Sequence, residues 1–493
     1  MTQTDASDDT ATNQAANAGQ EPQAEPDPRR WLALAVCLVG GFMTLLDVSI
    51  VNVALPSIET GLKATQDQLQ WVISGYALTF GLLLVPAGRL GDARGRRFMF
   101  MLALILFTAA SALCGAAQSS TWLVGARLLQ GLAGGLLTPQ ISALIQQLFS
   151  GKERGKAFGI FGSVVGVSTA IGPVLGGALI QAFGTGTGWR WVFFVNLPIG
   201  LIALPFALRL LPAPSKEQRE SKHDFDPIGV VLLGVGVVVL LLPFVQEQQW
   251  TGNTKWLLVP LALVVLAGFL LWQRVYRARG HEPLVDLALY RRRSYAFGSI
   301  IITAYFAAFT PLFFLLTLFL QSGHGYSALL AGLSSIPFAL GSAASAVFGG
   351  RVVDRFGRKL TATGLALVGI GLVGILAVVH SYSGPDVGWA LAAPLLIGGI
   401  GGGLVISPNQ AITLSEVPVA QAGTAGGLLQ TGQRIGSAVG IAFAGSVFFA
   451  QLSASKGRGW ATALERGLLV AIVLLVIALA LAVIDVVVDA RTA

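Results

Sequence analysis

Fourteen stretches of this chain are almost wholly apolar and about twenty or more residues long, and they constrain its fold more than anything else in it. An α-helix rises 1.5 Å per residue, so ~20 apolar residues cross the ~30 Å hydrocarbon core of a bilayer. In lipid a backbone must satisfy its own hydrogen bonds, and runs of this kind do so as helices. They fall at about 31–54, 69–88, 98–117, 121–147, 156–183, 190–210, 226–246, 255–275, 296–320, 328–350, 360–380, 387–414, 420–450 and 465–487. The chain is 54% hydrophobic and 11% charged, with a mean hydropathy of +0.72. Soluble domains carry about 25% charged residues, and a soluble protein of this size has no way to hide so much apolar surface. The 61 glycines suit helices that approach closely in lipid. Residues 1–28, rich in Ala, Gln, Asp and Pro with no apolar run, read as a disordered cytoplasmic tail and not as a signal peptide.

Charge orients the bundle. Alternate connections, from Arg29 and Arg30 through Arg94, Lys152, Arg219, Arg277, Arg291 and Arg358 to Arg491, hold 24 of the 32 Lys and Arg residues. The opposite connections hold six, among them Lys63, Arg190 and Lys255. The positive-inside rule puts the richer set in the cytoplasm. An even number of spans then predicts both termini there. The pI near 9.7 needs no nucleic acid to explain it, because the basic residues sit in short clusters between apolar runs.

An internal repeat divides the chain. Gly88-Arg89-Leu90-Gly91-Asp92-Ala93-Arg94-Gly95-Arg96-Arg97 recurs 262 residues later as Gly350-Arg351-Val352-Val353-Asp354-Arg355-Phe356-Gly357-Arg358-Lys359. A weaker echo, offset by 268, links Arg154-Gly155-Lys156-Ala157 to Ala422-Gly423-Thr424-Ala425. Paired copies at matching places are the mark of transporters built from two halves. The expected organisation is a tail over 1–28, a six-helix bundle over 29–210, a linker with two inserted helices over 211–280, and a second six-helix bundle over 281–493. Within each motif copy the glycines allow a tight turn, the Asp can hold a neighbouring helix end, and the Arg residues can grip headgroups or the other half. Gly88, Asp92, Arg96, Gly350, Asp354, Arg355 and Arg358 are thus the candidate latch of the cytoplasmic side.

These residues resemble the major facilitator superfamily, and within it the fourteen-helix drug:proton antiporter branch of the EmrB/QacA type. The resemblance covers residues 30 to 490. Leu46-Asp47-Val48-Ser49-Ile50-Val51-Asn52-Val53-Ala54-Leu55-Pro56 is similar to that branch's first-helix signature. Gly88 to Arg97 resembles the superfamily's first loop motif, departing from it at Ala93, where a basic residue is usual. Arg127-Leu128-Leu129-Gln130-Gly131 is similar to the proton-transfer motif. Gly159, Ser168, Gly172-Pro173 and Gly176-Gly177 are similar to the antiporter motif, with Ser168 in place of Gly. The fold implied is all-α and integral to the membrane, with two pseudo-symmetric six-helix bundles plus two inserted spans, fourteen in total. The function implied is alternating-access export of amphipathic drugs or antibiotics by a monomer in a bacterial cytoplasmic membrane. It runs on the proton motive force, with no cofactor.

Deep ionisable residues carry the chemistry to be expected of such a chain. Asp47 lies roughly 24 Å up the first helix and Arg127 roughly 9 Å down the fourth, which brings them to similar depth. Burial favours a neutral carboxyl and a nearby guanidinium favours the charged one, so a variable Arg127 approach would let Asp47 gain and lose a proton. The alternative is a permanent ion pair that only fixes packing. Asn52, Gln130, Gln433 and Arg434 are candidate cavity residues, with helix–helix hydrogen bonding the stronger reading for Asn52 and Gln130. Arg434 is suited either to an anionic or carbonyl-bearing substrate or to capping backbone carbonyls. Tyr305, Phe309 and Phe313 recur at helical spacing and offer either a stacking face for a flat drug or a lipid-facing surface. Gly172 and Pro173 offer a hinge or seal between halves, or ordinary close packing.

Other classes find little to rest on. Cys37 and Cys114 sit inside apolar runs far from metal-ligand spacing, and the four His residues are scattered. No metal site, enzyme or redox centre is expected. The doubled loop motif disfavours a channel. A narrow exporter of one metabolite or antibiotic, or an importer on the same fold, is the competing reading.

Overall fold

The structure, a computed structural model, describes residues 27–184, 186–213, 226–246, 250, 252–382 and 384–492. The tail reading, apart from Asp27 and Pro28, and the basic residues Lys216, Arg219 and Lys222 lie outside the described residues. Among the described residues, fourteen helices are long and apolar enough to cross a membrane. They are α1 (Arg30–Leu62), α2 (Asp67–Arg94), α3 (Arg96–Gly115), α4 (Ser120–Leu148), α5 (Gly151–Phe183), α6 (Trp189–Leu210), α7 (Pro227–Phe244), α8 (Thr254–Ala278), α9 (Arg293–Gly323), α10 (Leu329–Phe356), α11 (Arg358–Ser381), α12 (Ala392–Thr413), α13 (Val419–Ala454) and α14 (Trp460–Ala490). No strand occurs among the described residues.

Local chemistry sets the helix ends. A capping box opens α2: the Gln68 amide N–H donates to Thr65 Oγ1, and the Thr65 N–H donates to Gln68 Oε1. Asp226 caps α7, with Pro227 at its first position. The turn from α2 to α3 passes through Gly95 at φ 97°, and that from α10 to α11 through Gly357 at φ 52°. The two glycines are 262 residues apart, equivalent in the repeat, and both sit where a Cβ is disfavoured.

Helices α1–α6 pack as one bundle and α9–α14 as another. In the first, α4 lies against α2 and α3 while α1 lies against α5; in the second, α12 lies against α10 and α11 while α13 lies against α9. The halves meet along two seams, α5 with α10 and α2 with α13. The repeat relates these seams, since α2 corresponds to α10 and α5 to α13. Helices α7 and α8 pack on each other, and α7 also on α2 and α13.

The seams are tightest at the end carrying the basic loops. A Cβ on Gly88 would collide with the Gly423 carbonyl, and one on Gly350 with the Gly155 carbonyl. Both motif glycines therefore serve close backbone approach, each against the residue the weaker echo singles out in the other half. Farther along, the Gln410 amide donates to Ser142 Oγ at 3.2 Å between α12 and α4. This end is shut.

Candidate functional site

Asp47 is completely buried, on α1. Its Oδ2 accepts from Arg127 Nη1 at 2.6 Å, and its Oδ1 accepts from Gln130 Nε2 at 2.7 Å. The same Arg127 Nη1 also donates to Gln130 Oε1 at 2.7 Å, so the three side chains close a ring. Arg127 and Gln130 come from adjacent turns of α4, the spacing that puts two residues on one helix face. Asn196 of α6 adds a longer bond to Asp47 Oδ1 at 3.4 Å and donates to Ser111 Oγ of α3 at 3.1 Å. Cys114 Sγ–H donates to Gln130 Oε1 at 3.3 Å. The remaining guanidinium edge is used too: Arg127 Nε donates to the Val72 carbonyl at 3.0 Å, and its plane lies 4.1 Å from the Tyr76 ring centre.

A charge far from water is tolerated only when it is paired and its other bonding positions are filled. Five helices of the first half supply those partners. The predicted meeting of Asp47 and Arg127 is present. Both side chains are sealed, at 0% and 2% exposure. Gln130 is a member of the carboxylate's own shell rather than a separate cavity polar group. Ser111 and Asn196 were missed, although each is one of the few polar residues within its apolar run. Tyr76 is buried against Arg127.

From this cluster an aromatic path leads to the second half. Tyr76 and Phe80 are one turn apart on α2, with ring centres 5.8 Å apart. The Arg434 guanidinium of α13 lies 4.2 Å from the Phe80 ring centre. Arg434 therefore rests on an aromatic face across the seam. Gln433 is half-buried beside it. Asn52 is exposed and donates to the Val48 carbonyl of its own helix, apart from the Asp47 cluster. Tyr305 is buried and stacked on Phe309, and Phe309 and Phe313 pack on Phe338 of α10. That face turns into the second bundle and not to lipid.

The first latch copy behaves as its residue types suggest. Asp92 Oδ1 accepts from the Gly423 N–H at 3.1 Å, and Oδ2 accepts from the Thr424 N–H at 3.0 Å, near the N-terminus of α13. Arg96 pairs with Asp92 at 3.0 Å and also donates to the Val419 carbonyl. One carboxylate thus ties α2 to unsatisfied N–H groups of the other half. The second copy departs from expectation. Asp354 and Arg355 are exposed, and Arg355 lies over its neighbour Phe356. Arg358 pairs with the buried Asp485 of α14, which Arg293 also reaches. Asp485, absent from the expected set, takes Arg358, which was expected to grip headgroups or the other half.

The antiporter-motif residues face two neighbours. A Cβ on Gly172 would strike Ser49 of α1, and one on Gly176 would crowd Ile50. Pro173 meets Gly332, and Gly177 meets Leu329, both on α10. One stretch of α5 thereby packs against its own bundle and against the opposite half. No group of three or more His, Cys, Asp or Glu suited to a metal ion occurs among the described residues.

Comparison with known proteins places this arrangement. The family model described as "Major Facilitator Superfamily" matches residues 37–441. The "Probable actinorhodin transporter" of Streptomyces coelicolor is 37% identical over 438 residues, 88% of this chain and 74% of that one. The "Tetracenomycin C resistance and export protein" of Streptomyces glaucescens is 32% identical, covering 88% of this chain and 79% of that one. Among solved structures, the human organic anion transporter MFSD10 has the same fold, with a TM-score of 0.64 at 17% identity over 92% of this chain and 100% of that one. The chain belongs to the Major Facilitator Superfamily.

Proposed function

We propose that this protein exports amphipathic antibiotics or drugs across a bacterial cytoplasmic membrane by alternating access, in exchange for protons. The observation that carries the reading is the Asp47–Arg127–Gln130 ring, a carboxylate at membrane depth held by partners on several helices. The names of the relatives, which include export and multidrug resistance proteins, support the substrate class. The shut end carries the basic loops, so it faces the cytoplasm by the positive-inside rule, and both chain ends lie on that side.

A proton on Asp47 removes the charge that holds Arg127. Arg127 keeps the Val72 carbonyl and the Tyr76 ring, so its displacement is transmitted to α2. Helix α2 carries Phe80, which bears Arg434 of α13, and Asp92, which holds the start of α13. Protonation in the first half thereby acts on the seam with the second. One elementary charge moving down 100 mV releases ~2.3 kcal/mol, and a pH unit adds ~1.36 kcal/mol. Together these sustain a substrate gradient of roughly a few hundredfold per proton. The proton motive force is the energy source, no cofactor takes part, and a monomer contains the whole cycle.

The test is efflux of a panel of amphipathic dyes and antibiotics from energised cells, at matched membrane expression. Wild type is expected to extrude at least one compound, with a protonophore stopping it and Asp47→Asn failing to do so. Extrusion by Asp47→Asn at the wild-type rate would remove Asp47 from the coupling path. Protonophore-insensitive transport by wild type would remove the proton.

A further inference from the structure

Helix α7 touches both halves at once. Val237 and Leu241 share an apolar cluster with Leu78 and Val85 of α2, and Leu428 and Ile435 of α13 pack against the same cluster. Toward its far end Phe244 meets Phe443 of α13, with ring centres 6.4 Å apart. Helix α7 therefore runs along the α2–α13 seam. Among the described residues, the pseudo-equivalent α5–α10 seam has no inserted helix packed along it in the same way.

At the basic-loop end the insert is anchored by a buried acid. Asp226, 2% exposed, accepts from the Gly229 N–H at 2.8 Å, from Trp272 Nε1 at 2.9 Å and from Gln273 Nε2 at 2.7 Å. Gln273 Oε1 in turn accepts from the Val285 N–H at 3.1 Å, and this draws the segment after α8 inward and buries Leu284 and Val285. That segment straddles the seam. Glu282 pairs with Arg89 of α2 at 2.5 Å, while Asp286 accepts from Gln421 Nε2 at the start of α13 at 3.4 Å.

We propose that α7, α8 and residues 281–286 form a clasp across the α2–α13 seam, in which Asp226 and Glu282 are positioning residues that favour the state closed on the cytoplasmic side. The physical reason is attachment to two bodies that must part. Opening this end separates Gly88 from Gly423, and with them Arg89 from Gln421. The stretch from Glu282 to Asp286, fastened to both and held from behind through Gln273, loses one attachment when they separate. Each attachment therefore weights the closed state, as a ligand does when it binds one conformation better than another. This gives the two inserted spans a role in the transport cycle beyond that of a spacer, and it holds whatever the substrate.

The test is a distance measurement. Spin labels at Lys152 on α5 and Lys359 on α11, both exposed, report the separation of the halves at the cytoplasmic end. Cys37 and Cys114 are buried and stay unlabelled. In lipid nanodiscs, wild type is expected to give a dominant short distance. Glu282→Gln should raise the long-distance population by about two- to fivefold, the range a partly exposed ion pair supplies. Asp226→Asn should raise it further, and Arg89→Glu combined with Glu282→Arg should restore the wild-type distribution. A merely structural Asp226 would lower the melting temperature and leave the distances alone. Unchanged distances in both variants, or no recovery in the charge-reversed pair, would overturn the proposal. If Asp226→Asn does not fold, the surface variant Glu282→Gln and its reversal decide alone. The readout needs neither a substrate nor a proton gradient, so it stands or falls separately from the exporter reading.

Discussion

Asp47 and Arg127 are unequal partners although they share one bond. Replacing Asp47 by Asn keeps the shape and a carbonyl oxygen for Arg127, whereas replacing Arg127 by Leu leaves a carboxylate at 0% exposure with only Gln130 and Asn196. Removing one partner of a buried pair typically costs about 3–5 kcal/mol. Arg127→Leu is therefore expected to melt well below both wild type and Asp47→Asn in detergent, and the double replacement should regain part of the loss. Melting of both single variants near wild type would mean that the ion pair does not carry the stability of this cluster. The depth argument from sequence was sufficient to pair these two residues. It did not reach Gln130 and Asn196 as further partners, because which polar groups turn toward a carboxylate depends on the rotation of each helix about its axis.

At the scale of helices, the repeated loop motif closes the two seams with different chemistry. The glycines act alike: Gly88 against Gly423 and Gly350 against Gly155 let backbones touch, and Gly95 and Gly357 turn the chain at positive φ. The acids do not. Asp92 is buried on the N–H groups of α13, while Asp354 is exposed and Arg358 is drawn to Asp485. Loss of a side chain that satisfies helix N-terminal N–H groups costs about 0.5–2 kcal/mol. Asp92→Ala is therefore expected to open the end that carries the basic loops, seen as faster alkylation of a cysteine placed at Thr424, while Asp354→Ala leaves that rate near wild type. Equal effects from the two variants would restore the symmetric latch that the sequence suggested.

Across the whole molecule, topology follows from charge and hydropathy. The fourteen spans agree with the apolar runs to within a few residues at most boundaries, since length and apolarity alone decide what can cross a bilayer. The start of α1 and the end of α14 lie on the face of the basic loops, where Arg30 meets Glu153 and Asp485 meets Arg358. A reporter that is active only in the cytoplasm, fused at either terminus, is expected to be active in both fusions. An inactive fusion at one end would require an odd number of spans.

The sequence by itself determined the number of spans, the even count that puts both termini on one face, the division into related halves, and the two ionisable residues at one depth. These follow from one-dimensional facts: how long each run is, where charges interrupt it, and what recurs at a fixed offset. Only the tertiary structure decided that the Asp47 pair is sealed, that Asp485 takes Arg358, that Arg434 rests on Phe80, and that α7 lies along one seam and not the other. In a membrane, helix faces toward lipid and toward protein are both apolar, so the pattern along a helix says little about which way it turns. Rotation and register are settled by close packing at glycines and by the few buried polar groups that must find partners, and both are properties of helices assembled together.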